Sequence, residues 1–236
     1  MENAENKTTV SYLVNPAALQ KFLPAPWQVV TISYGPWKGS NVAFEFRDRI
    51  MNLDGKKGSI PGGVERGIIV TVQCRNSETG EVAYRVIREY TANSAFVPGA
   101  HHNSKLLSDM RIERTVSAQG TSPGHASETW VATDTAGGTA TLKLSYERGI
   151  PQRMTGELKM YGSSDPKYHL YYRRDQGVDV VKDVNLGIDR TTSFQQSIKL
   201  SDFASVFDGT EKLVNVVVMP WYVRETFAPV DQSTSE

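Results

Sequence analysis

The residues best suited to chemistry lie at the end of one predicted strand and in the irregular segment that follows it. Arg88 and Glu89 end that strand, and two adjacent histidines, His101 and His102, come after it. A histidine on a loop can act as a general acid or base near neutral pH, and an arginine can bind a carboxylate through two parallel hydrogen bonds. We expect Glu89, His101 and His102 to transfer protons. Arg88 either binds a substrate carboxylate or neutralises Glu89.

Two lysines and two tryptophans complete the set of candidates. Lys105 is the first lysine after Glu89, and Lys143 alternates along its strand with two leucines, so it faces away from them. That face is either the interior of a barrel or its solvent side. Trp130 and Trp221 lie on predicted strands, where they either line a cavity or pack in the core. We expect Lys105 to act in catalysis and the other three residues to act in substrate binding.

The sequence contains no motif typical of a metal site, a phosphate loop or a nucleophile elbow. The remaining histidines, His125 and His169, have no ligand-like spacing to the adjacent pair. The glycine pairs at 62–63 and 137–138 lack the lysine-serine that a phosphate loop requires. Cys74 is the only cysteine, which excludes an intrachain disulfide, and its alternating strand favours a packed thiol over a nucleophile. We therefore expect no metal and no cofactor.

The charge balance excludes several classes of partner. The chain of 236 residues has 26 basic and 26 acidic side chains, and its pI is near 6.9. This balance gives no overall attraction to nucleic acid or to an anionic membrane. No apolar stretch approaches the roughly 18 residues of a membrane span, and the polar N-terminus lacks the apolar region of a secretory signal. We expect a cytoplasmic protein that acts on a small molecule, with no nucleic-acid or membrane partner.

Period-two alternation of apolar residues dominates the chain and predicts about eleven strands. A first short helix is predicted after Asn15, which can cap it, with Pro16 in its first position. A second is predicted from Ser201 to Phe207. Residues 1–9 and 231–236 are predicted to be disordered tails. The whole chain is predicted to form one domain of the mainly β, or β-dominated α+β, class.

Three stretches follow the order of elements of a known superfamily. Residues 12–24 contain a short helix that leads through Leu-Pro to a strand, Arg88 and Glu89 end a hairpin at the entrance to a loop, and residues 138–146 form a strand after that loop. With a second short helix and a long last strand, these stretches resemble the acetoacetate decarboxylase superfamily over roughly residues 10–225. The resemblance implies a closed β-barrel with flanking strands and two short helices. It also implies an active site inside the barrel and assembly into homo-oligomers.

The activity implied by the resemblance is decarboxylation of a β-oxo acid through a Schiff base on a neutral lysine. In the family, the arginine–glutamate pair is followed by a Pro-Lys-Lys element that holds the reactive lysine. The corresponding positions here are Ser94, Ala95 and Phe96, so the lysine-pair mechanism is not supported. Lys105 can take its place only if a longer loop brings it into the barrel.

The sequence leaves three functions open. The first is a decarboxylase-like lyase acting on a small oxo acid or related carbonyl compound, with an iminium on Lys105 or Lys143 and proton transfer by Glu89. The second is a lysine-independent acid–base enzyme, an isomerase or hydrolase, that uses Glu89 with His101 or His102. The third is a non-catalytic protein, either a barrel that binds a small molecule or an accessory protein acting through a surface partner.

Overall fold

The computed structural model describes residues 1–60, 62, 64–97, 99 and 101–228. These residues form thirteen β-strands, one α-helix and two 3-10 helices, which confirms the mainly β class. The helices are α1 (Pro16–Gln20) and the 3-10 helices Ser94–Phe96 and Ser201–Phe203. The strands are β1 (Glu2–Leu13), β2 (Trp27–Val29), β3 (Val42–Leu53), β4 (Glu65–Asn76), β5 (Val82–Thr91), β6 (Ser104–Ser117), β7 (His125–Asp134), β8 (Thr139–Glu147), β9 (Gln152–Gly162), β10 (His169–Asp183), β11 (Ile188–Asp189), β12 (Thr191–Lys199) and β13 (Lys212–Phe227).

Seven of the strands close into a barrel. They follow the order β5, β9, β10, β13, β1, β3 and β4, and pairing of β4 with β5 completes the ring. All neighbours in the ring are antiparallel except β5 and β9. A second sheet, in the order β6, β7, β8 and β12, continues from β5 through a short parallel pairing with β6. The barrel predicted from the resemblance is therefore confirmed.

The alternation of side chains along β3 explains how the two layers are built. Phe44 and Phe46 are fully buried on the outer face of the barrel, and the Phe46 ring lies 5.9 Å from the Trp130 ring of the second sheet. The intervening residues, Glu45 and Arg47, point into the barrel, because successive side chains of a strand face opposite sides. The main apolar core thus lies between the barrel and the second sheet, and the lumen combines charged side chains with a smaller apolar cluster that includes Ile69, Met160 and Tyr172.

A buried carboxylate connects the two layers. Glu128 on β7 accepts hydrogen bonds from the Thr8 hydroxyl of β1 at 2.6 Å and from the indole nitrogen of Trp130 at 2.9 Å. The Arg114 guanidinium lies 3.3 Å from its other oxygen. The carboxylate therefore joins the barrel wall to the second sheet through two buried donors, Thr8 and Trp130, and one partly exposed cation, Arg114.

The structure corrects the prediction of a disordered tail at residues 1–9, which lie in strand β1 and form part of the barrel wall. Asn3, Glu5 and Lys7 alternate into the lumen and are buried. Because the lumen is polar, the start of this strand has no apolar face that would mark it as a strand. The predicted tail at 231–236 lies outside the described residues.

Of the smaller elements, one predicted helix is confirmed, one is shorter than predicted, and one strand is absent from the predictions. The first helix is confirmed, with the Asn15 side chain accepting a hydrogen bond from the Ala17 amide. The second predicted helix is only the 3-10 turn Ser201–Phe203, which has no side-chain cap. Strand Thr191–Lys199, which pairs with β8, was not predicted. Its burial pattern lacks a clean apolar alternation, so periodicity does not mark it.

The role of Glu128 can be tested by truncation. Glu128→Ala leaves the Thr8 and Trp130 donors and the Arg114 charge without their buried acceptor, so we expect the free energy of unfolding to fall by about 3 kcal/mol. Urea denaturation measures this. Glu113→Ala, on the exposed face of the same sheet, is the matched control and should change the free energy by less than about 0.5 kcal/mol. Equal effects of the two substitutions would contradict a connecting role.

Candidate functional site

The barrel lumen carries an unusual number of charges. Their side chains come from strands β1, β3, β4, β5, β10 and β13, and most are almost completely buried. Among the described residues, the basic members are Lys7, Arg47, Arg49, Arg174 and Arg224, and the acidic members are Glu5, Glu45, Glu65 and Glu89. Charges buried in this way are costly unless they are paired, so their pairing defines what the lumen can bind.

Arg47 is the centre of the largest network. Its guanidinium lies 2.8 Å from Glu65 and also pairs with Glu89. Arg49 pairs with the second oxygen of Glu65 at 2.5 Å and lies 3.9 Å from Glu5. The network therefore crosses four adjacent strands, β1, β3, β4 and β5.

This network sets the ionisation of its carboxylates. Burial raises the pKa of Glu89, but Arg47, with help from His101 and Arg49, outweighs that effect and lowers the pKa below its ordinary value. For Glu5, burial is likewise outweighed, chiefly by Arg49, and its pKa falls to about 2. Both groups are anions at neutral pH, so Glu89 is a permanent partner of Arg47 rather than a poised acid.

His101 forms a second buried unit beside Glu89. Its Nε2 atom lies 2.9 Å from the Tyr172 hydroxyl, and only 2% of the residue is exposed. Burial lowers the pKa of His101 to about 4, although Glu89 partly opposes the shift. Burial also raises the pKa of Tyr172 to about 12. The pair is therefore uncharged at neutral pH.

The loop after β5 closes this end of the barrel. The 3-10 helix Ser94–Phe96 occupies the positions that carry the lysine pair in the family, and the Phe96 ring lies 5.7 Å from the Arg49 guanidinium. Gly99 has a φ of +75°, and a Cβ there would lie 2.9 Å from a Glu89 oxygen. Ser104 donates a hydrogen bond to that oxygen at 3.2 Å. Glu89 is thus enclosed by the loop.

The accessible part of the lumen is a cavity of about 270 Å³. Glu89 and His101 do not line it. Arg47 follows the lining residue Glu45 by two positions on β3, about 7 Å further along the strand. The wall combines charged, amide, hydroxyl, aromatic and thioether groups. Its members include Lys7, Thr9, Trp37, Glu45, Thr71, Gln73, Tyr84, Arg174, Gln176, Met219 and Tyr222.

Lys7 and Glu45 form an ion pair on this wall. Their charged atoms lie 2.5 Å apart, and the Lys7 ammonium lies 4.0 Å from the centre of the Tyr222 ring. Thr71 donates a hydrogen bond to the other Glu45 oxygen at 3.2 Å. Burial lowers the pKa of Lys7, but Glu45 and the aromatic hydroxyl of Tyr222 more than reverse this, so the pKa is raised. The amine is held as an ammonium, which cannot attack a ketone.

Two other predicted site residues, Arg88 and Lys105, lie outside the lumen. Arg88 alternates with Glu89 and therefore faces the second layer, where it pairs with Asp202 at 2.8 Å. Lys105 pairs with the other oxygen of Asp202 at 2.8 Å. The loop does not bring Lys105 into the barrel, and Arg88 neutralises Asp202 rather than Glu89.

Four further candidates are also separated from the cavity. Lys143 is exposed on the solvent face of the second sheet, and Trp130 is buried between the layers. Trp221 lies on the outside of the barrel, where its ring covers Gly177. His102 is exposed, with a φ of +56° and its ring 5.0 Å from that of Tyr168. Of the predicted set, only Glu89 and His101 therefore lie together inside the lumen, whereas Arg88 and Lys105 meet at Asp202 outside it.

Sequence reasoning missed Lys7 and Glu45, which lie on the cavity wall. Residues Thr8 to Tyr12 alternate as in a strand, and Lys7 lies two positions before Thr9. The alternation therefore places the Lys7 and Thr9 side chains on the same face of the strand. Glu45 stands between two phenylalanines, which marks it as facing away from an apolar layer. The thiol of Cys74 is buried as expected, and burial raises its pKa to about 12.

The described part of the chain has neither a cluster of metal ligands nor a membrane-spanning helix. No group of three or more His, Cys, Asp or Glu side chains there is arranged to hold a metal ion. No helix in the same residues is long and apolar enough to cross a membrane.

Comparison with solved structures identifies the fold. An acetoacetate decarboxylase-like enzyme from Sphingomonas wittichii RW1 superposes with a TM-score of 0.58 and 11% identity, over 96% of this chain and 90% of that chain. The enduracididine biosynthesis enzyme MppR, complexed with pyruvate, gives 0.55 and 12%, over 98% and 90%. Acetoacetate decarboxylase from Legionella pneumophila subsp. pneumophila str. Philadelphia 1 gives 0.53 and 12%, over 99% and 88%.

Sequence comparison adds no closer relative, since no family model and no curated protein matches. The structural likeness nevertheless spans nearly the whole chain. It confirms that the protein has the acetoacetate decarboxylase-like fold predicted from the order of its elements.

The buried state of His101 predicts a pH-dependent stability. Its pKa falls from 6.5 in the unfolded chain to about 4 in the folded protein, so the folded state binds fewer protons between these values. The stabilisation is complete above pH 6.5 and is lost as the pH falls toward 4. We expect the unfolding free energy of the wild type to fall by about 3 kcal/mol more than that of His101→Gln over this range.

Urea denaturation at several pH values between 7 and 4 measures this difference. The exposed His125 provides the control, and His125→Gln should follow the wild-type curve. Parallel curves for wild type and His101→Gln would show that His101 titrates normally in the folded protein.

Proposed function

We propose that the protein binds a small oxo acid in the barrel cavity and acts on it as a lyase without forming a Schiff base. The observation that carries this proposal is the Lys7–Glu45 pair on the cavity wall, whose charged atoms lie 2.5 Å apart. The acetoacetate decarboxylase-like fold and the pyruvate complex of the similar enzyme MppR support the choice of substrate class.

In this mechanism the Lys7 ammonium donates a hydrogen bond to the carbonyl oxygen of the substrate. For a β-oxo acid, when the bond between the carboxylate carbon and the α-carbon of the ketone breaks, its electron pair moves onto the carbonyl oxygen as an enolate, and carbon dioxide leaves. A fixed ammonium in a site shielded from water stabilises the negative charge on that oxygen and delivers its proton. Glu45, bonded to both Lys7 and Thr71, then relays a proton from solvent to the carbon that lost carbon dioxide, and the enol oxygen returns its proton to Lys7 as the ketone forms.

The buried unit of Glu89, Arg47 and His101 has a different role in this proposal. Both Glu89 oxygens already have donors, from Arg47 and Ser104, and neither Glu89 nor His101 lines the cavity. We therefore propose that Glu89 and His101 maintain the shape and the charge of the closed end of the lumen. The predicted homo-oligomer and cytoplasmic location stay predictions.

A second candidate is a barrel that binds an oxo acid without turning it over. The ion pair that keeps Lys7 protonated favours this second candidate, because the same ammonium that would stabilise an enolate can also bind the carboxylate of an unreacted ligand. The two candidates share the same cavity and differ only in whether carbon dioxide is released.

Substitution of the pair tests the proposal. Lys7→Met removes the only ammonium of the described cavity wall, so we expect the affinity for pyruvate and acetoacetate, measured by calorimetry, to fall by at least about tenfold. Lys182, paired with Asp189 on the surface, gives the matched control, and Lys182→Met should bind as the wild type does. Glu45→Gln should retain binding but lose carbon dioxide release.

Borohydride treatment in the presence of each acid distinguishes the mechanisms. We expect no reduced adduct in the intact mass, since the ammonium is not a nucleophile. An adduct mapped to Lys7 would replace the proposal with Schiff-base chemistry. Unchanged affinity in Lys7→Met would show that the cavity is not the binding site for the oxo acid. Binding of the acid by the wild type without release of carbon dioxide would support the non-catalytic barrel instead of the lyase.

A further inference from the structure

A row of four polar side chains crosses the lumen on adjacent strands. Asn52 on β3 is opposite Asn3 on β1, Asn3 is opposite Arg224 on β13, and Arg224 is opposite Arg174 on β10. Residues directly opposite each other in neighbouring strands project to the same side of the sheet. That side is the lumen, because Arg174 lines the cavity.

The polar atoms of this row lack partners among the described residues. Both side-chain amide atoms of Asn3 and of Asn52 are buried without a hydrogen bond, and so are the Nε atoms of Arg174 and Arg224. Asn3, Asn52 and Arg224 are each more than nine-tenths buried. Buried polar groups are normally bonded, so such a concentration at one place indicates a site for a polar ligand.

The charges of the lumen favour an anion. Its carboxylates lie within 4 Å of Lys7, Arg47 or Arg49, whereas Arg174 and Arg224 have no acidic partner at that distance in the part of the chain described. Two guanidinium groups opposite each other repel unless an anion lies between them. Arg224 also lies 4.3 Å from the centre of the Tyr172 ring, which fixes its orientation.

We infer that Asn3, Asn52, Arg174 and Arg224 form an anion subsite in the lumen that takes a carboxylate or phosphate group. Guanidinium groups bind the oxygens of either group bidentately, and the asparagine amides supply further donors. Arg174 connects this subsite to the cavity that contains Lys7. This inference rests on the proposed function, and it defines the substrate as an oxo acid with a second anionic group.

Calorimetry with matched acids tests the inference. We expect 2-oxoglutarate, which has a second carboxylate, to bind the wild type at least about tenfold more tightly than 2-oxobutyrate. Arg174→Gln should abolish this preference by weakening 2-oxoglutarate binding more than 2-oxobutyrate binding. Arg173→Gln, the neighbouring arginine on the outer face of β10, is the control and should keep the preference. Since Arg174 is only partly buried, its replacement is compatible with folding.

Two further arms complete the experiment. Arg224→Lys keeps the buried charge but loses bidentate geometry, so it should reduce the preference and preserve the fold, which circular dichroism checks. Inorganic phosphate alone is titrated into each variant. Phosphate binding that depends on both arginines, without a preference for 2-oxoglutarate, would identify the second group as a phosphate and still support the subsite.

The inference and the proposed function fail in different ways. Equal affinity for the two oxo acids, with no arginine-dependent phosphate binding, overturns the subsite even if Lys7→Met weakens binding of both. Arginine-dependent phosphate binding with no binding of any oxo acid supports the subsite and overturns the proposed function.

Discussion

The structure depends on a guanidinium buried in the barrel lumen. Arg47 bridges Glu65 and Glu89, and Arg49 extends the bridge to Glu5. Removal of charges from water costs several kcal/mol per ion, and the cost is met only when each charge has close partners. The four strands that supply this network are therefore held in one register, since a shift of one residue would reverse every side chain between the lumen and the apolar layer. The polar interior specifies the barrel more strictly than an apolar interior would.

The second sheet makes such an interior possible. The outer face of β1, β3, β4 and β5 packs on β6, β7, β8 and β12, and this interface contains the largest apolar cluster, including Phe44, Phe46 and Trp130. Apolar burial between the layers stabilises the fold, while the lumen remains free for charged residues. Glu128 is the main polar exception between the layers, and each of its oxygens has a donor.

The lumen is divided into two parts with different properties. At one end the Arg47 network, the His101–Tyr172 pair and the loop after β5 fill the space. At the other, a cavity is lined by a lysine–glutamate pair, amides, aromatic rings and methionines. None of the charges of the Arg47 network lines this cavity, so the two parts of the lumen are separate in their contacts. The fold is shared with acetoacetate decarboxylase-like enzymes, but the lysine pair of that family has no equivalent at Ser94–Phe96.

The sequence by itself determined the strand-rich class, the first helix with its Asn15 cap, and the hairpin of β4 and β5, whose second strand carries Glu89. These features follow from local alternation, capping and turn residues, which act over a few positions. The sequence left open whether Arg88 binds a substrate or neutralises Glu89, because alternation puts adjacent residues on opposite faces without saying which face is the lumen.

Only the tertiary structure decided that Lys7 lies beside Glu45 on a cavity wall, and that Lys105 and Lys143 lie outside the barrel. The barrel closes through pairing of β1 with β13, which are separated by about 200 residues along the chain. A period of two assigns side chains to two faces, and only closure of the ring turns one face into an enclosed polar interior. Residues 2–6 therefore have no local signal for their burial, because the polar surface they face is formed by distant strands.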